Sequence, residues 1–389
     1  MKNRAHFDEL NPRRNTRSVK WDTHGKNGIH PDAYPLWVAD MDFKTLPAIT
    51  QALTHELEGG IYGYSFETED YKQALVGWLK RRHHWVIDPT WIFTTPGVVS
   101  AVNASLQALT QEGEGILIQE PVYHPFKASI LQNKRLPISS ELILNDGHYS
   151  VDFKDFEEKA KHAKLFIVCN PHNPVGKVFT TEELSRMVDI CKKYDVLIIS
   201  DEIHQDFVYK PHVHHNLANV RPDYVDHILT LVAASKTFNL AAFKVSQMIV
   251  SNPELLTKIK AIYSNLGIHG NNTLGLLASE IAYTQGDDFV DDLIEYLEES
   301  ISWVHSFLQT ELPQVKLIEP QGLYLLWLDF RDLHLSQDEL KRRLNENAHL
   351  WLNDGVQFGS SGTGFMRLNL ALPQSELKKV FNQLKKVLL

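Results

Sequence analysis

Short apolar runs alternate with amphipathic segments between about Trp91 and Ser251. The runs are rich in Val, Ile and Leu, a composition typical of strands that are buried on both faces of a sheet. Because the intervening segments carry apolar residues at helical spacing, the alternation predicts a parallel sheet covered by helices. The predicted strands are Gly115–Gln119, Lys164–Asn170, Val196–Asp201, His227–Ala234 and Lys244–Val250.

One connecting helix is clearly marked in the sequence. Thr180 and Glu183 have the spacing of a capping box, in which each side chain accepts a hydrogen bond from the other residue's backbone N–H. Lys192 and Lys193 follow where positive charge complements the helix dipole. This segment therefore predicts a helix that packs one apolar face on the sheet. The residues of that face are Leu184, Met187, Val188 and Cys191.

The C-terminal part repeats the helical pattern after a strand-like run, Leu323–Leu328. A second, smaller layer of structure is therefore expected there. Internal repeats, low-complexity tracts and long Gly/Ser linkers are absent from the sequence, which indicates packed rather than flexible domain boundaries. The apolar face of the last predicted helix contains Leu377, Val380, Phe381, Leu384 and Leu388.

Composition favours a soluble protein that acts on a small molecule. The 389 residues are 43% hydrophobic and 22% charged, and apolar runs such as Ile228–Ala234 are shorter than the roughly 20 residues of a membrane helix. The net charge of -9 and the scattered basic residues argue against nucleic-acid binding. The start, Met1–Asp8, contains no apolar stretch typical of a signal peptide, so a cytoplasmic location and no membrane association are expected.

The two cysteines and the many histidines do not indicate a metal site. Cys169 and Cys191 lie among apolar residues and are interpreted as buried thiols in a reducing compartment. A cluster of histidines, His212, His214 and His215, has the residue type that zinc prefers. The cluster lies in a polar segment without helical i, i+4 pairing, so these histidines are interpreted as solvated loop residues, and no metal is predicted.

Four reactive side chains follow predicted strands, where open α/β sheets bind their ligands. They are Tyr123, Asn173, Asp201 and Lys236. Lys236 follows an apolar run, and partial desolvation there would lower the pKa of its amine and make it nucleophilic. Each residue also has an ordinary structural explanation. The lysine alone is compatible with a solvated surface position, and the aspartate with a helix N-cap.

Two further segments have the shape of binding loops. Asn170–Gly176 contains two prolines and a glycine, which fix a turn able to direct an amide side chain inward. Pro96–Ser100 precedes a predicted helix, whose free N–H groups form a natural phosphate cradle. A plain turn and a helix start that binds nothing are the alternatives.

These motifs, taken together and in their order along the chain, indicate a family more specifically than any single motif does. Across nearly the whole chain they resemble the class I/II aminotransferase superfamily of fold-type I pyridoxal-phosphate enzymes. Within that superfamily the motifs are most similar to the MalY/PatB branch of cystathionine β-lyases, or C–S lyases. The segments that carry the resemblance are Trp37–Phe43, Gly63–Ser65, Asn170–Gly176, Asp201–His204 and Ser235–Asn239, followed by Lys244.

The resemblance implies an α/β architecture with two main domains. The larger has a mostly parallel seven-stranded sheet between helices, and a smaller α/β domain lies at the C-terminus. The expected boundaries are 1–48 for an N-terminal segment that packs with the small domain, 49–286 for the large cofactor-binding domain and 287–389 for the small domain.

The resemblance also implies roles for the strand-end residues. Lys236 would form a Schiff base with pyridoxal 5'-phosphate and transfer protons, and Asp201 would hold the ring nitrogen protonated. Asn173 would donate to the 3'-oxygen of the ring, and Tyr123 would stack on its face. Lys236, Asp201 and Tyr123 are thus the predicted catalytic residues.

The remaining implied roles concern the phosphate, the substrate and a second subunit. Arg367 would clamp the α-carboxylate of an amino-acid substrate with a bidentate fork, beside Ala39 and Asn173. Tyr64 would reach the phosphate of the other subunit in a homodimer with shared active sites. The other predicted cofactor-binding residues are Gly97, Val98, Val99, His204, Ser235 and Lys244.

Three positions depart from the general aminotransferase pattern. His204 stands where a tyrosine is common, which fits the lyase branch, and Lys244 replaces a common arginine. Ala233 occupies the place of a phosphate-binding serine or threonine, a contact that Ser235 is expected to supply.

The predicted function is α,β-elimination of L-cystathionine and other S-substituted L-cysteines to pyruvate, ammonia and a thiol. An aminotransferase, and a regulatory protein that retains the cofactor site, are the alternatives.

Overall fold

The structure is a computed structural model that describes residues 4–388. Fifteen strands lie in this part of the chain, and most of them belong to one of two sheets. Their bounds are β1 Tyr34–Pro35, β2 Ile92–Thr95, β3 Gly115–Ile118, β4 Leu136–Ser139, β5 Leu142–Asn145, β6 His148–Val151, β7 Ala163–Cys169, β8 Leu197–Asp201, β9 Ile228–Val232, β10 Ser246–Ile249, β11 Lys316–Leu317, β12 Leu325–Asp329, β13 Leu350–Trp351, β14 Asn353–Asp354 and β15 Phe365–Asn369.

Fifteen α-helices accompany these strands within residues 4–388. None of them is both long enough and apolar enough to cross a membrane. Their bounds are α1 Arg4–Asp8, α2 Val19–Asp22, α3 Pro47–Glu58, α4 Glu69–His83, α5 Val98–Leu109, α6 Pro125–Gln132, α7 Phe153–Ala160, α8 Thr181–Lys193, α9 Leu217–Val220, α10 Ala234–Thr237, α11 Pro253–Asn265, α12 Thr273–Gln285, α13 Asp287–Glu311, α14 Gln337–Arg342 and α15 Gln374–Leu388.

The large sheet has seven strands in the order β2-β10-β9-β8-β7-β3-β4. Strands β4, β3, β7, β8 and β9 run parallel, whereas β10 is antiparallel to both of its neighbours. The predicted mostly parallel seven-stranded sheet is therefore confirmed. The register pairs Cys169 with Asp201, so β7 and β8 end side by side at one edge.

Both faces of this sheet are covered, as the continuous apolar runs require. Leu165 and Ile167 of β7 pack into a core with α5, α6 and α11. Phe166 and Val168, which alternate with them, pack into the larger core on the opposite face. The predicted covering helix is α8. Its capping box is complete at Thr180, and both cysteines are buried and free.

The second sheet is smaller, with the order β11-β12-β15-β14, and all of its pairs are antiparallel. Helices α13 and α15 contribute buried residues to the core beside it. Strand β12 begins at Leu325 rather than at the predicted Leu323, whose positive φ of 72° excludes it from a strand. The sheet places Arg367 of β15 opposite Trp327 and Asn353.

The predicted strands His227–Ala234 and Lys244–Val250 of the large sheet differ most from the strands observed, β9 and β10, which are both shorter. β9 ends at Val232, and the chain then forms the short helix α10, which carries Lys236. β10 begins at Ser246 because Lys244 has a left-handed φ of 51°. The backbone therefore turns sharply on both sides of the reactive segment, and it presents Lys236 and Lys244 to the same region.

The interpretation of the histidine cluster as solvated is wrong for His214. This side chain is buried and its Nε2 lies 3.2 Å from a carboxylate oxygen of Glu202, which is itself fully buried. A buried carboxylate requires such a polar partner, which explains why the loop folds inward here. Within residues 4–388, no three His, Cys, Asp or Glu side chains are grouped so that they could hold a metal ion.

Candidate active site

The strands of the large sheet end at a cavity of about 370 Å³. Its walls come from the ends of β7 and β8, the start of α5, the α10 region, the segment 37–39 and strands β14 and β15. The predicted site residues that line it are Ala39, Gly97, Val98, Val99, Tyr123, Asn173, Asp201, His204, Ser235, Lys236, Lys244 and Arg367.

Lys236 presents its amine to this cavity. Its Nζ donates to the backbone carbonyl of Ala39 at 2.9 Å. Burial lowers the pKa of the amine to about 8, an effect that Asp40 opposes and Arg367 reinforces. About a tenth of this amine is therefore neutral, and nucleophilic, at pH 7, far more than for an ordinary lysine.

Asp201 is buried at the end of β8 and accepts a hydrogen bond from the Ile203 N–H at 3.1 Å. Burial raises the pKa of its carboxyl to about 7, while that hydrogen bond and the charge of Lys236 act in the opposite direction. A cationic N–H group beside this carboxyl would restore its ionised form. The site is therefore suited to a positively charged partner.

Arg367 is a buried guanidinium with protein contacts on its two terminal nitrogens. It donates to Asn173 Oδ1 at 2.8 Å, to the Trp37 carbonyl at 2.7 Å and to Asn353 Oδ1 at 2.5 Å. Its Nε has no partner within residues 4–388 although it is buried, and burial lowers its pKa to about 10. An unpaired cationic donor in a cavity indicates a site for an anionic group.

The same hydrogen bond orients Asn173, because its amide oxygen is occupied and its amide nitrogen is left as a donor. His204 lies in the same wall, and its Nδ1 is buried without a partner in the described part of the chain. Burial holds the pKa of this imidazole well below its usual range, so the ring is neutral. Both side chains thus offer polar atoms that the protein leaves unsatisfied.

The start of α5 forms the opposite wall. Gly97 is its N-cap with a φ of 130°, a conformation that favours glycine, and Val98 and Val99 follow at the first helical positions. Lys244 contributes a cation to the same cavity. Backbone N–H groups at a helix start and a cation across from them provide a site for a phosphate. Ser235 also lines the cavity.

The structure adds cavity residues that the sequence had not singled out. Asn353 and His124 line the cavity, and Trp37 contributes its carbonyl to Arg367. Trp37 stands in a motif that carried the resemblance, whereas nothing in the sequence around Asn353 indicates its contact with Arg367. Tyr64 lies outside the cavity of its own chain and is fully exposed. Its predicted role concerns a second subunit and stays a prediction.

Comparison with known proteins identifies relatives along nearly the whole chain. Cystathionine beta-lyase PatB of Bacillus subtilis is 39% identical over 96% of this chain and 98% of its own length. The crystal structure of cystalysin from Treponema denticola, which contains a pyridoxal 5'-phosphate cofactor, has a TM-score of 0.95 at 34% identity over 98% of each chain. The PLP-bound C-S lyase from Staphylococcus hominis has a TM-score of 0.92 at 30% identity, again over 98% of each chain.

These similarities confirm the predicted fold class, fold type I, and the resemblance to the cystathionine β-lyase branch. Residues 33–384 also match the family described as Aminotransferase class I and II. Because that match includes both sheets and every wall of the cavity, the chain belongs to the aminotransferase class I and II family.

Proposed function

We propose that this protein is a pyridoxal-phosphate-dependent carbon–sulfur lyase. It cleaves S-substituted L-cysteines such as L-cystathionine to pyruvate, ammonia and a thiol. The observation that carries the proposal is a lysine amine with a lowered pKa in a cavity that also contains buried Asp201 and Arg367. The lyase relatives, which align over nearly the whole chain, support the choice of reaction.

The residue types around the cavity suit the chemical groups of pyridoxal phosphate. The buried Asp201 carboxyl would accommodate a protonated ring nitrogen, and the amide nitrogen of Asn173, beside the neutral ring of His204, would suit the 3'-oxygen. Tyr123 would cover a ring face, since aromatic rings favour such offset contacts. Gly97, Val98, Val99, Ser235 and Lys244 would hold the phosphate. When bound, pyridoxal phosphate withdraws electrons from the Cα of the amino acid attached to it.

The protein's own side chains then bind the substrate and move its proton. Arg367, a buried cation in the cavity wall, would hold the α-carboxylate, and Ala39 lies on the same wall. Lys236 accepts the Cα proton as a neutral amine, for which a pKa of about 8 is well suited. Once that proton has been removed, the electron pair at Cα would form a Cα=Cβ double bond as the Cβ–S bond breaks, because a thiolate is a good leaving group. Water would then hydrolyse the released 2-aminoacrylate to pyruvate and ammonia.

Transamination is the alternative reaction, because the chain belongs to the aminotransferase class I and II family. The products distinguish the two reactions. We expect the pure protein to release pyruvate and a free thiol from L-cystathionine without any added oxo acid. A parallel incubation with L-aspartate or L-alanine and 2-oxoglutarate, assayed for glutamate, is the control. Glutamate formed much faster than pyruvate would assign the protein to the aminotransferases. A regulatory protein that only retains the cofactor would form neither product.

We also propose a homodimer in which Tyr64 completes the phosphate site of the partner. The segment around it exposes apolar side chains at Ile61, Tyr62 and Phe66, in addition to Tyr64 itself. Contiguous exposed apolar surface of this kind is typical of an interface, and two-fold dimers are the commonest closed oligomers.

Mixed dimers test this sharing of sites. Tyr64→Ala and Lys236→Ala chains should each have little activity as homodimers. After random mixing about half of the dimers are mixed, so about one site in four regains both original residues and activity returns. Sedimentation and pyruvate release measure the two properties. Fully active monomers, or no recovery in verified mixed dimers, would contradict shared sites.

The domain boundaries at residues 48 and 286 are likewise our proposal. The small sheet is formed wholly from residues 316–369, which supports a C-terminal domain from 287 to 389. Phe7 packs on Phe289 and Tyr296, with ring centroids 5.5 and 5.4 Å apart, which supports an N-terminal segment joined to that domain. Residues 1–3 and 389 of these proposed ranges lie outside the described chain.

A cytoplasmic location is also proposed, since buried free thiols suit a reducing compartment.

A further inference from the structure

The turn that follows β8 carries two buried carboxylates behind the cavity, in addition to Asp201. Glu202 and Asp206 do not line the cavity, and both are buried. Neither carboxylate has a role in the proposed reaction as it stands. Their hydrogen bonds instead connect the turn to other elements around the cavity.

Asp206 joins the turn after β8 to two other elements, α4 and α10. It accepts hydrogen bonds from Thr237 Oγ1 at 2.6 Å and from Trp78 Nε1 at 3.1 Å, and His83 Nε2 lies 2.8 Å from its Oδ1. Trp78 and His83 belong to α4, and Thr237 is the last residue of α10. Since Thr237 follows Lys236 directly, the Asp206 carboxylate holds the residue next to the reactive amine.

The helix that carries Lys236 needs such an anchor. α10 has only four residues, and its N-cap, Ala233, offers no side chain to hold its first turn. Helices this short are not stable by themselves. The free-energy cost of ordering the first turn exceeds the stabilisation that its few hydrogen bonds provide. Contacts outside the helix must therefore fix the position of Lys236.

Asp206 is suited to provide this contact as a charged group. Burial by itself would raise the pKa of its carboxyl, but the hydrogen bonds from His83 and Thr237 outweigh it and lower the pKa. The carboxyl is therefore ionised, and its hydrogen bond from Thr237 is charge-assisted and stronger than a neutral one. The short distance between Thr237 Oγ1 and Asp206 Oδ2 is consistent with this.

The other carboxylate, Glu202, fixes the opposite end of the turn. It pairs with His214 and accepts a hydrogen bond from Leu217 N at 3.0 Å. The ring of His214 in turn meets that of His83 edge to face, with centroids 5.6 Å apart. Asp201 and Lys236 are thus supported from behind by one connected set of buried polar residues.

We propose that Asp206 is a positioning residue, which acts through the Thr237 hydroxyl to keep the Lys236 amine in place in the cavity. This inference rests on the proposed function, in which Lys236 bonds the cofactor and moves the substrate proton. It assigns the Asp206–Thr237 hydrogen bond a role in the reaction and not only in folding.

Thr237→Val tests the proposal, because it removes the hydroxyl and keeps the shape of the side chain. In the holoenzyme we expect kcat to fall about tenfold to a hundredfold, the cost of a slightly misplaced catalytic group, with KM changed much less. The pH midpoint of the visible cofactor band should also shift, since that midpoint reports the surroundings of the Lys236 nitrogen. Thr237→Ser retains the hydroxyl and should restore both values.

Thr230→Val is the matched control. Thr230 lies buried on β9 and its hydroxyl has no partner within residues 4–388, so this variant should retain the original kcat and band. If Thr237→Val does not fold, Thr237→Ala removes the same hydroxyl with less bulk and gives the same readouts. An unchanged midpoint and kcat in a folded Thr237 variant would overturn the proposal. A wild-type protein with no cofactor band would instead overturn the proposed function.

Discussion

Replacing Lys236 by alanine should abolish the covalent attachment of pyridoxal phosphate and reduce turnover by at least about a hundredfold to ten-thousandfold, the usual contribution of a general base. The reason is that this amine has two proposed tasks, which are to bond the cofactor and to accept the Cα proton. The loss should therefore be at the upper end of that range or beyond it. Borohydride reduction followed by intact mass measurement detects the attachment, and pyruvate release measures the turnover.

Lys244→Ala is the matched control, since Lys244 is the other lysine that lines the cavity. Its proposed contact is with the phosphate, so the variant should hold the cofactor more weakly and still form the reducible bond to Lys236. A reducible adduct that persists in Lys236→Ala and disappears in Lys244→Ala would exchange the two assignments. Persistence in both variants would exclude Lys236 and place the bond at another amine.

The sequence indicates the strands in the middle of the large sheet better than the edge strand β4, and burial explains this difference. β7 and β8 are covered on both faces, so their sequences are continuous apolar runs. The edge strand β4 has an exposed or half-buried residue at every position and contains a proline, so its sequence does not indicate a strand. The reversed direction of β10 also leaves no local mark, because strand direction depends on the connections between strands.

The site divides in a similar way. Asp201 ends an apolar run and Lys236 follows another, so the pattern of the chain alone indicates that both lie close to the ends of buried strands, although Lys236 stands in the short helix α10. Arg367 lies in the middle of β15, and only the resemblance to a known family indicates it. Asn353 reaches Arg367 because β14 pairs with β15, and that register becomes visible only when the small sheet has formed.

The burial of His214 also depends on a contact with a residue that is distant in the sequence. His214 stands in a polar segment and belongs, by local pattern, on the surface. Its partner Glu202 follows Asp201 directly and is carried inward by the end of β8. A buried carboxylate costs several kcal/mol unless it is paired, so the structure brings a distant polar segment to it. Such long-range compensation cannot be derived from the residues near His214.

Asp201→Asn is the second change with a large expected effect, because it removes a charge and almost no volume. An amide cannot hold the ring nitrogen protonated, so the stabilisation of the developing negative charge at Cα is lost. We expect kcat to fall about a hundredfold to a thousandfold, the cost of removing one preorganised electrostatic group. Cofactor binding should largely survive, since the proposed contacts to the phosphate and the bond to Lys236 are unchanged.

The pKa of the Asp201 carboxyl explains why Asp201→Asn should lower turnover rather than the stability of the fold. In the protein alone, burial raises the pKa of the Asp201 carboxyl to about 7, so near neutral pH about half of it is already neutral and an amide is a close substitute. The negative charge of the Asp201 carboxylate matters only when a protonated ring nitrogen of the cofactor lies beside it. Asp201→Glu, which retains the charge on a longer side chain, should therefore retain more activity than Asp201→Asn. Turnover of Asp201→Asn close to wild type, measured as pyruvate release with the cofactor bound, would exclude this role for Asp201.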